Sequence, residues 1–279
     1  MKYRLGLIGH PIKHSLSPWI HARFLEKSKI EGTYSIFDLR EHELKKQIDA
    51  FRDEGIRGFN VTIPYKQKII PLLDGVDRMA REIGAVNTVA NMNGKLIGFN
   101  TDGIGYLKSL EQAFPETLMN REISILIIGA GGAARGIYYI LNQFGFSSID
   151  IANRTYQNAQ SIAALNTRKN TTNILSLEDA STMSGAYDLI IQTTNVGMRP
   201  NEAASPIRTS SINKSTIVSD IIYQPIWTKL LQEAAENGAR VHHGHTMLLY
   251  QAKFAFEKWF GHSPSLEDMD RQLKQLLEG

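Results

Sequence analysis

The spacing of apolar residues divides the chain into short strands and amphipathic helices in alternation. Tyr3–Gly9 follows the two-residue period of a half-buried strand, whereas 123–128 (ISILII) is an unbroken apolar run. Such a run is expected of a strand covered on both faces in a parallel sheet. Between them the pattern predicts a helix from Ser17 to about Lys29, a strand over 33–38, a charged helix over 41–53 and a strand over 58–63. A helix around 76–83 follows, then two strands joined at Asn93-Gly94, a pair suited to a type I′ hairpin turn. A helix over 104–112 and an irregular polar stretch over 112–122 lead into the apolar run. Beyond it come a helix over 133–141, a strand within 145–153, a helix over 156–165 and strands over 188–193 and 216–222. An amphipathic helix over 227–237, a short strand from Arg240 and long helices after Gly244 complete the pattern. The alternation predicts an α/β protein with parallel sheets.

Chemistry enters where strands end. Gly129, Gly131 and Gly132 follow the apolar run at once, giving G-x-G-x-x-A over 129–134. Backbone without Cβ atoms at a helix N-terminus lets a pyrophosphate approach amide N–H groups and the positive end of the helix dipole. The same junction also serves as plain α/β scaffolding, and dinucleotide binding is the favoured reading. An NAD-binding sheet ends its second strand in an acid that accepts from the ribose 2′-hydroxyl; here Asn153-Arg154-Thr155 stands there instead. An arginine in that place suits a 2′-phosphate and favours NADP.

In the first half, Ser17 before Pro18 reads as a helix N-cap, while Ser15 and Ser17 together also make a compact site for a carboxylate. Thr62 and Lys66 follow a predicted strand, with Pro64 expected to open a helix that carries Lys66. A lysine in a first helical turn is ordinarily a solvated charge, yet it is poorly placed against the dipole. Asp102 reads either as the N-cap of the next helix or as a carboxylate that orients Lys66 for proton exchange. Gln251 falls within an apolar helical stripe and must find polar partners there.

Composition narrows the field. The 279 residues allow two domains, and 42 % hydrophobic with 21 % charged residues is a globular balance. A net charge of +3, scattered along the chain, does not suggest nucleic acid. The absence of cysteine excludes disulfides and thiolate metal sites, and the His242-His243-Gly244-His245 cluster lacks ligand spacing, so no metal is expected. With no apolar run of membrane-spanning length and no signal-type start, the chain reads as a cytoplasmic protein without membrane contact.

Eight segments then carry a resemblance. They are His14-Ser15-Leu16-Ser17-Pro18, 60–66 (NVTIPYK), 84–88 (GAVNT), 100–103 (NTDG), 129–135 (GAGGAAR), 153–155 (NRT), 195–198 (NVGM) and 244–252 (GHTMLLYQA). In this order they resemble the motif series of the NADP-dependent shikimate dehydrogenases across nearly the whole chain. The resemblance implies a discontinuous substrate domain, 1–103 and 245–279, whose C-terminal helices pack back on its first part. A Rossmann-type NADP-binding domain, 104–244, is inserted within it. Ser15 and Ser17 are implied on the substrate carboxylate, Thr62, Asn87, Tyr223 and Gln251 in the pocket, and Lys66 with Asp102 as the catalytic pair. Gly129, Ala130, Gly131, Gly132, Ala133, Asn153, Arg154, Thr155, Ile221 and Gly244 are implied at the cofactor. The activity implied is reversible reduction of 3-dehydroshikimate to shikimate in aromatic amino-acid (chorismate) biosynthesis, by a monomer or homodimer. A dual-specificity quinate/shikimate dehydrogenase is the nearer alternative, and a non-enzymatic NADP-binding sensor the farther one. The sensor predicts loss of Lys66 or Asp102, and both are present.

Overall fold

The computed structural model describes residues 2–279 and divides the chain into two compact units. The first comprises the chain up to Asp102 together with Gln251–Leu266; the second comprises Gly103–Tyr250 and Glu267–Gly279.

The first unit is built on strands β1 (Tyr3–Gly9), β2 (Gly32–Asp38), β3 (Gly58–Val61), β4 (Gly75–Val76), β5 (Thr88–Met92) and β6 (Lys95–Phe99). They form one sheet in the order β2-β1-β3-β5-β6-β4. Helices α1 (Ser17–Lys27), α2 (Leu44–Asp53) and α3 (Arg78–Ile83) connect them. The sheet is mixed rather than parallel throughout. β1 runs parallel to β2 and β3, but β5 is antiparallel to both β3 and β6. The local cause of the β5–β6 pair is the hairpin, where Asn93 and Gly94 both take positive φ, +54° and +85°, and turn the chain straight back. On one side Phe51, Phe59, Val61, Ile48 and Val89 are buried together, which removes the apolar face of α2 from water. Asp77 caps α3 by accepting from the Ala80 N–H at 2.9 Å.

The second unit holds β7 (Ser124–Ile128), β8 (Ser148–Ala152), β9 (Ile174–Leu175), β10 (Leu189–Gln192), β11 (Ile217–Asp220) and β12 (Arg240–His242). Every pairing is parallel, and the order is β12-β11-β10-β7-β8-β9. Strand order therefore reverses between β7 and β10, the place where doubly wound sheets open a crevice. Its helices are α4 (Asp102–Ala113), α5 (Gly132–Phe144), α6 (Tyr156–Ala163), α7 (Leu177–Thr182), α8 (Lys229–Glu236), the first part of α9 (Gly244–Phe260) and α10 (Met269–Glu278).

The unbroken apolar run is explained by two-sided burial. Ile125 and Ile127 join one core with Tyr106, Ile137 and Leu141, while Leu126 and Ile128 join another with Ile190, Val218 and Leu231. Fully burying each such side chain is worth roughly 1.5–3 kcal/mol. α4 lies directly on α5: a Cβ at Gly103 would fall 2.2 Å from the Gly136 carbonyl oxygen. Among the described residues no helix is long and apolar enough to cross a membrane.

Candidate active site

Antiparallel β5 starts at the edge where β1, β3 and β6 end. Register makes this explicit, since Ile8 pairs with Val61, Asn60 with Thr88, and Thr88 with Phe99. Residues far apart in sequence, Thr62, Asn87 and Asn100-Thr101-Asp102, thus come to one edge.

Lys66 reaches this edge without the expected helix. Residues 62–69 fold as turns closed by the Tyr65 N–H on the Thr62 carbonyl and the Ile69 N–H on the Tyr65 carbonyl. The Lys66 carbonyl accepts from the Val86 N–H at 2.7 Å. That bond replaces the helical partner four residues on and pins Lys66 beside the loop that carries Asn87. Its Nζ lies 2.6 Å from Asp102 Oδ2, with the two side chains 15 % and 6 % exposed. Asp102 Oδ1 accepts from Asn87 Nδ2 at 2.8 Å, and the Asp102 N–H donates to Asn100 Oδ1 at 3.1 Å. Both carboxylate oxygens are thereby satisfied, which a largely buried ion pair requires. Asp102 is the first residue of α4, and its carboxylate serves Lys66 and Asn87.

Asn87 is held at both ends, its Oδ1 accepting from the Thr101 N–H at 2.8 Å and its Nδ2 donating also to Thr101 Oγ1. Thr88, Asn60 and Tyr34 extend the same network, and sequence reasoning had not singled out these three. The signal that could have found Asn60 and Thr88 was their place inside the 60–66 and 84–88 motifs.

Ser15 and Ser17 are adjacent, but their capping roles differ from expectation. The N-cap of α1 is Leu16, which makes no side-chain cap bond. The Ser15 hydroxyl instead accepts the Ser17 N–H at 3.2 Å and lies 3.2 Å from the Ser17 hydroxyl. Half-buried Thr62 donates its N–H to the Ile8 carbonyl at 2.9 Å. Gln251 belongs to this unit, on α9; Tyr223 lies in the second unit, three residues beyond β11.

Behind this edge His21 is fully buried and stacks on the Tyr34 ring at 4.5 Å and 9°. Burial holds its pKa down to about 3, so the ring is neutral. Both ring nitrogens are buried, with the Asn60 side chain close by.

In the second unit the glycine turn sits at the strand-order reversal. Gly129 has φ +110°, and a Cβ there would fall 2.5 Å from Thr193 Oγ1 at the end of β10. Gly131 is the N-cap of the 13-residue α5 and so leaves the first turn without a side-chain cap, and a Cβ on it would meet nothing within 4 Å. An open space over an uncapped helix start suits a pyrophosphate. At the end of β8 the Asn153 Nδ2 donates to the Thr155 carbonyl at 2.8 Å, shaping a turn on which Arg154 is exposed. The residues present fit a phosphorylated dinucleotide. Ile221 follows β11, half-buried, and Gly244 opens α9 so close to it that a Cβ would lie 2.4 Å from the Ile221 carbonyl.

The histidine cluster has structural partners. His242 Nδ1 meets Ser219 Oγ at 2.9 Å and its Nε2 meets Thr246 Oγ1 at 3.1 Å, His243 meets the Ile226 carbonyl, and His245 lies 3.2 Å from Asp270. Asp220, at the end of β11, accepts from the Ile222 N–H and the Thr228 hydroxyl, and burial pushes its pKa up to about 7.

Known proteins match this arrangement from end to end. The model of the shikimate dehydrogenase substrate binding domain matches residues 7–89, that of shikimate / quinate 5-dehydrogenase 111–219, and that of the shikimate 5'-dehydrogenase C-terminal domain 244–274. Shikimate dehydrogenase (NADP(+)) of Oceanobacillus iheyensis is 49 % identical over 280 residues, covering all of both chains. A crystal structure of shikimate dehydrogenase in complex with NADP+ superposes with a TM-score of 0.91 at 36 % identity, covering 99 % of this chain and 96 % of that one. Shikimate 5-dehydrogenase of Thermus thermophilus, in complex with NADP(H) and shikimate, gives 0.86 at 33 % identity, covering 98 % and 99 %. The chain belongs to the shikimate dehydrogenase family.

Proposed function

We propose that the protein is an NADP-dependent shikimate dehydrogenase, an oxidoreductase that interconverts 3-dehydroshikimate and shikimate with Lys66 and Asp102 as its proton-handling pair. The observation that carries this reading is the 2.6 Å contact between Lys66 Nζ and Asp102 Oδ2 beside Asn87, on a chain aligned throughout with the family. When bound, NADPH supplies a hydride to the C3 carbonyl carbon. This chain's residues handle the accompanying proton. Lys66 gives a proton to the oxygen that becomes the 3-hydroxyl, and takes it back in the oxidation direction. Asp102 holds the ammonium in place and balances its charge. Ser15 and Ser17 hold the substrate carboxylate, and Thr62, Asn87, Tyr223 and Gln251 its remaining polar groups. The cofactor's pyrophosphate is assigned to Gly129, Ala130, Gly131, Gly132 and Ala133, with Ile221 and Gly244 near its nicotinamide end. Its 2′-phosphate is assigned to Asn153, Arg154 and Thr155. The domain assignment is substrate on 1–103 and 245–279 and NADP on 104–244; within the C-terminal part, Gln251–Leu266 belongs to the first unit and Glu267–Gly279 to the second.

Purified protein given shikimate and NADP+ is expected to produce NADPH, read by its near-ultraviolet absorbance. Parallel assays with quinate and with NAD+ complete the test. Faster turnover of quinate with NAD+ would move the assignment to a quinate dehydrogenase, and no turnover of either acid would overturn the reading.

A further inference from the structure

We propose that Tyr34 is a positioning residue, the head of a one-way chain of hydrogen bonds that ends on the carboxylate of the proton-handling pair; this rests on the roles assigned above to Asn87, Asp102 and Lys66. The direction of the chain follows from groups that have no choice. The Asn87 carbonyl can only accept, so the Asn60 nitrogen faces it at 3.3 Å and also donates to Thr88 Oγ1 at 3.2 Å. Asn60 Oδ1 is then left as an acceptor, and Tyr34 must donate its hydroxyl proton there, at 2.8 Å. The Thr101 N–H can only donate, which identifies Oδ1 of Asn87 as the acceptor end of that amide. Thr88 Oγ1, already accepting from Asn60, passes its own proton to Asn87 Oδ1 at 3.1 Å, directly or by way of Thr101 Oγ1, which lies 3.3 Å from it and donates to the same Oδ1 at 3.2 Å. Asn87 Nδ2 finally donates to Asp102 Oδ1 at 2.8 Å.

Protons therefore point one way, from Tyr34 through Asn60, Thr88 and Asn87 to a carboxylate. Aligned bonds of this kind polarise one another and strengthen toward the charged acceptor. Because Tyr34 gives its proton to Asn60, the phenol stands at the donor end of the chain. The phenol is held in place by its ring, stacked on buried His21, with Trp259 tilted against it at 6.4 Å. Removing the hydroxyl alone leaves that packing intact.

The test is a double-mutant cycle on the full-length enzyme with shikimate and NADP+. Tyr34→Phe and Thr88→Val are each expected to lower kcat/KM for shikimate by about three- to tenfold, the worth of one internal hydrogen bond. The KM for NADP+ is expected to stay within about twofold and the melting temperature near that of the parent. The double variant is expected to lose no more than the worse single variant, because both cut the same chain. Thr88→Ser, which keeps the hydroxyl, is expected to restore parental kinetics. Unchanged kcat/KM in Tyr34→Phe, losses that multiply in the double variant, or a matching rise in the KM for NADP+ would overturn the proposal. If Thr88→Val does not fold, Thr88→Ala takes its place in the cycle. Turnover of shikimate by the parent enzyme separates a failure of this proposal from a failure of the functional reading.

Discussion

At the scale of single residues, Lys66 carries the sharpest expectation. A lysine that only bound substrate would change KM; one that moves a proton changes kcat. Lys66→Ala is therefore expected to lower kcat for shikimate oxidation by about 10²–10⁴, the usual worth of general acid–base help, with KM changed far less. Comparable changes in both constants would reassign Lys66 to binding. Arg154 bears on cofactor choice alone. It is exposed on the turn after β8, so its removal costs the fold little. Arg154→Ala should weaken NADP+ strongly and leave NAD+ nearly unaffected, and an unchanged ratio of the two affinities would remove the 2′-phosphate assignment.

At the scale of elements, the turn into α5 separates shape from affinity. Gly129→Ala asks for a side chain at φ +110° and places its Cβ 2.5 Å from Thr193 Oγ1, so it is expected to lower the melting temperature as well as NADP+ affinity. Gly131→Ala meets no neighbour, costs at most about 1 kcal/mol as an N-cap change, and is expected to act chiefly on affinity. A fall in stability at Gly131 equal to that at Gly129 would contradict the open space over the helix start. Much of this region was legible in the residues. The apolar run, the glycines and Asn153-Arg154-Thr155 are local signals, and strand, turn and helix lie where periodicity predicted them. What periodicity missed depends on partners distant in the chain. The two-residue strands β4 and β9 are too short to show a period. The Lys66 segment is denied a helix by a bond from Val86, and Ser17 stands one residue past the N-cap Leu16, its N–H on the Ser15 hydroxyl. Tyr34, Asn60 and Thr88 meet only because β5 runs antiparallel to β3, a pairing between segments far apart in the chain.

At the scale of the whole molecule, buried titratable groups in both units set how stability follows pH. His21 in the first unit and His242 in the second are held neutral, their pKa values down from 6.5 to about 3, and His243 shifts the same way. The unfolded chain takes up these protons first, so their contribution is complete above pH 6.5 and is lost as pH falls below it. Asp220, raised from 3.8 to about 7, acts oppositely: its burial costs the fold above pH 7, and that cost is relieved as pH falls toward 3.8. The histidines outnumber it between pH 6.5 and 4.5, so stability is expected to fall by roughly 1–3 kcal/mol per pH unit there. Asp220→Asn should steepen that fall in a series of thermal melts, and a shallower acid limb would reverse the sign assigned to Asp220. A last consequence comes from the start of α4. Asp102 ends the first unit, and the next residue, Gly103, opens the second and is pressed there against the Gly136 carbonyl. Every amino acid other than glycine brings a Cβ into that 2.2 Å gap, so position 103 has no conservative replacement. In a saturation library selected for growth of a host that lacks the activity, with the product withheld, its row should be blank from end to end. The row for Gly131 should be graded by side-chain size.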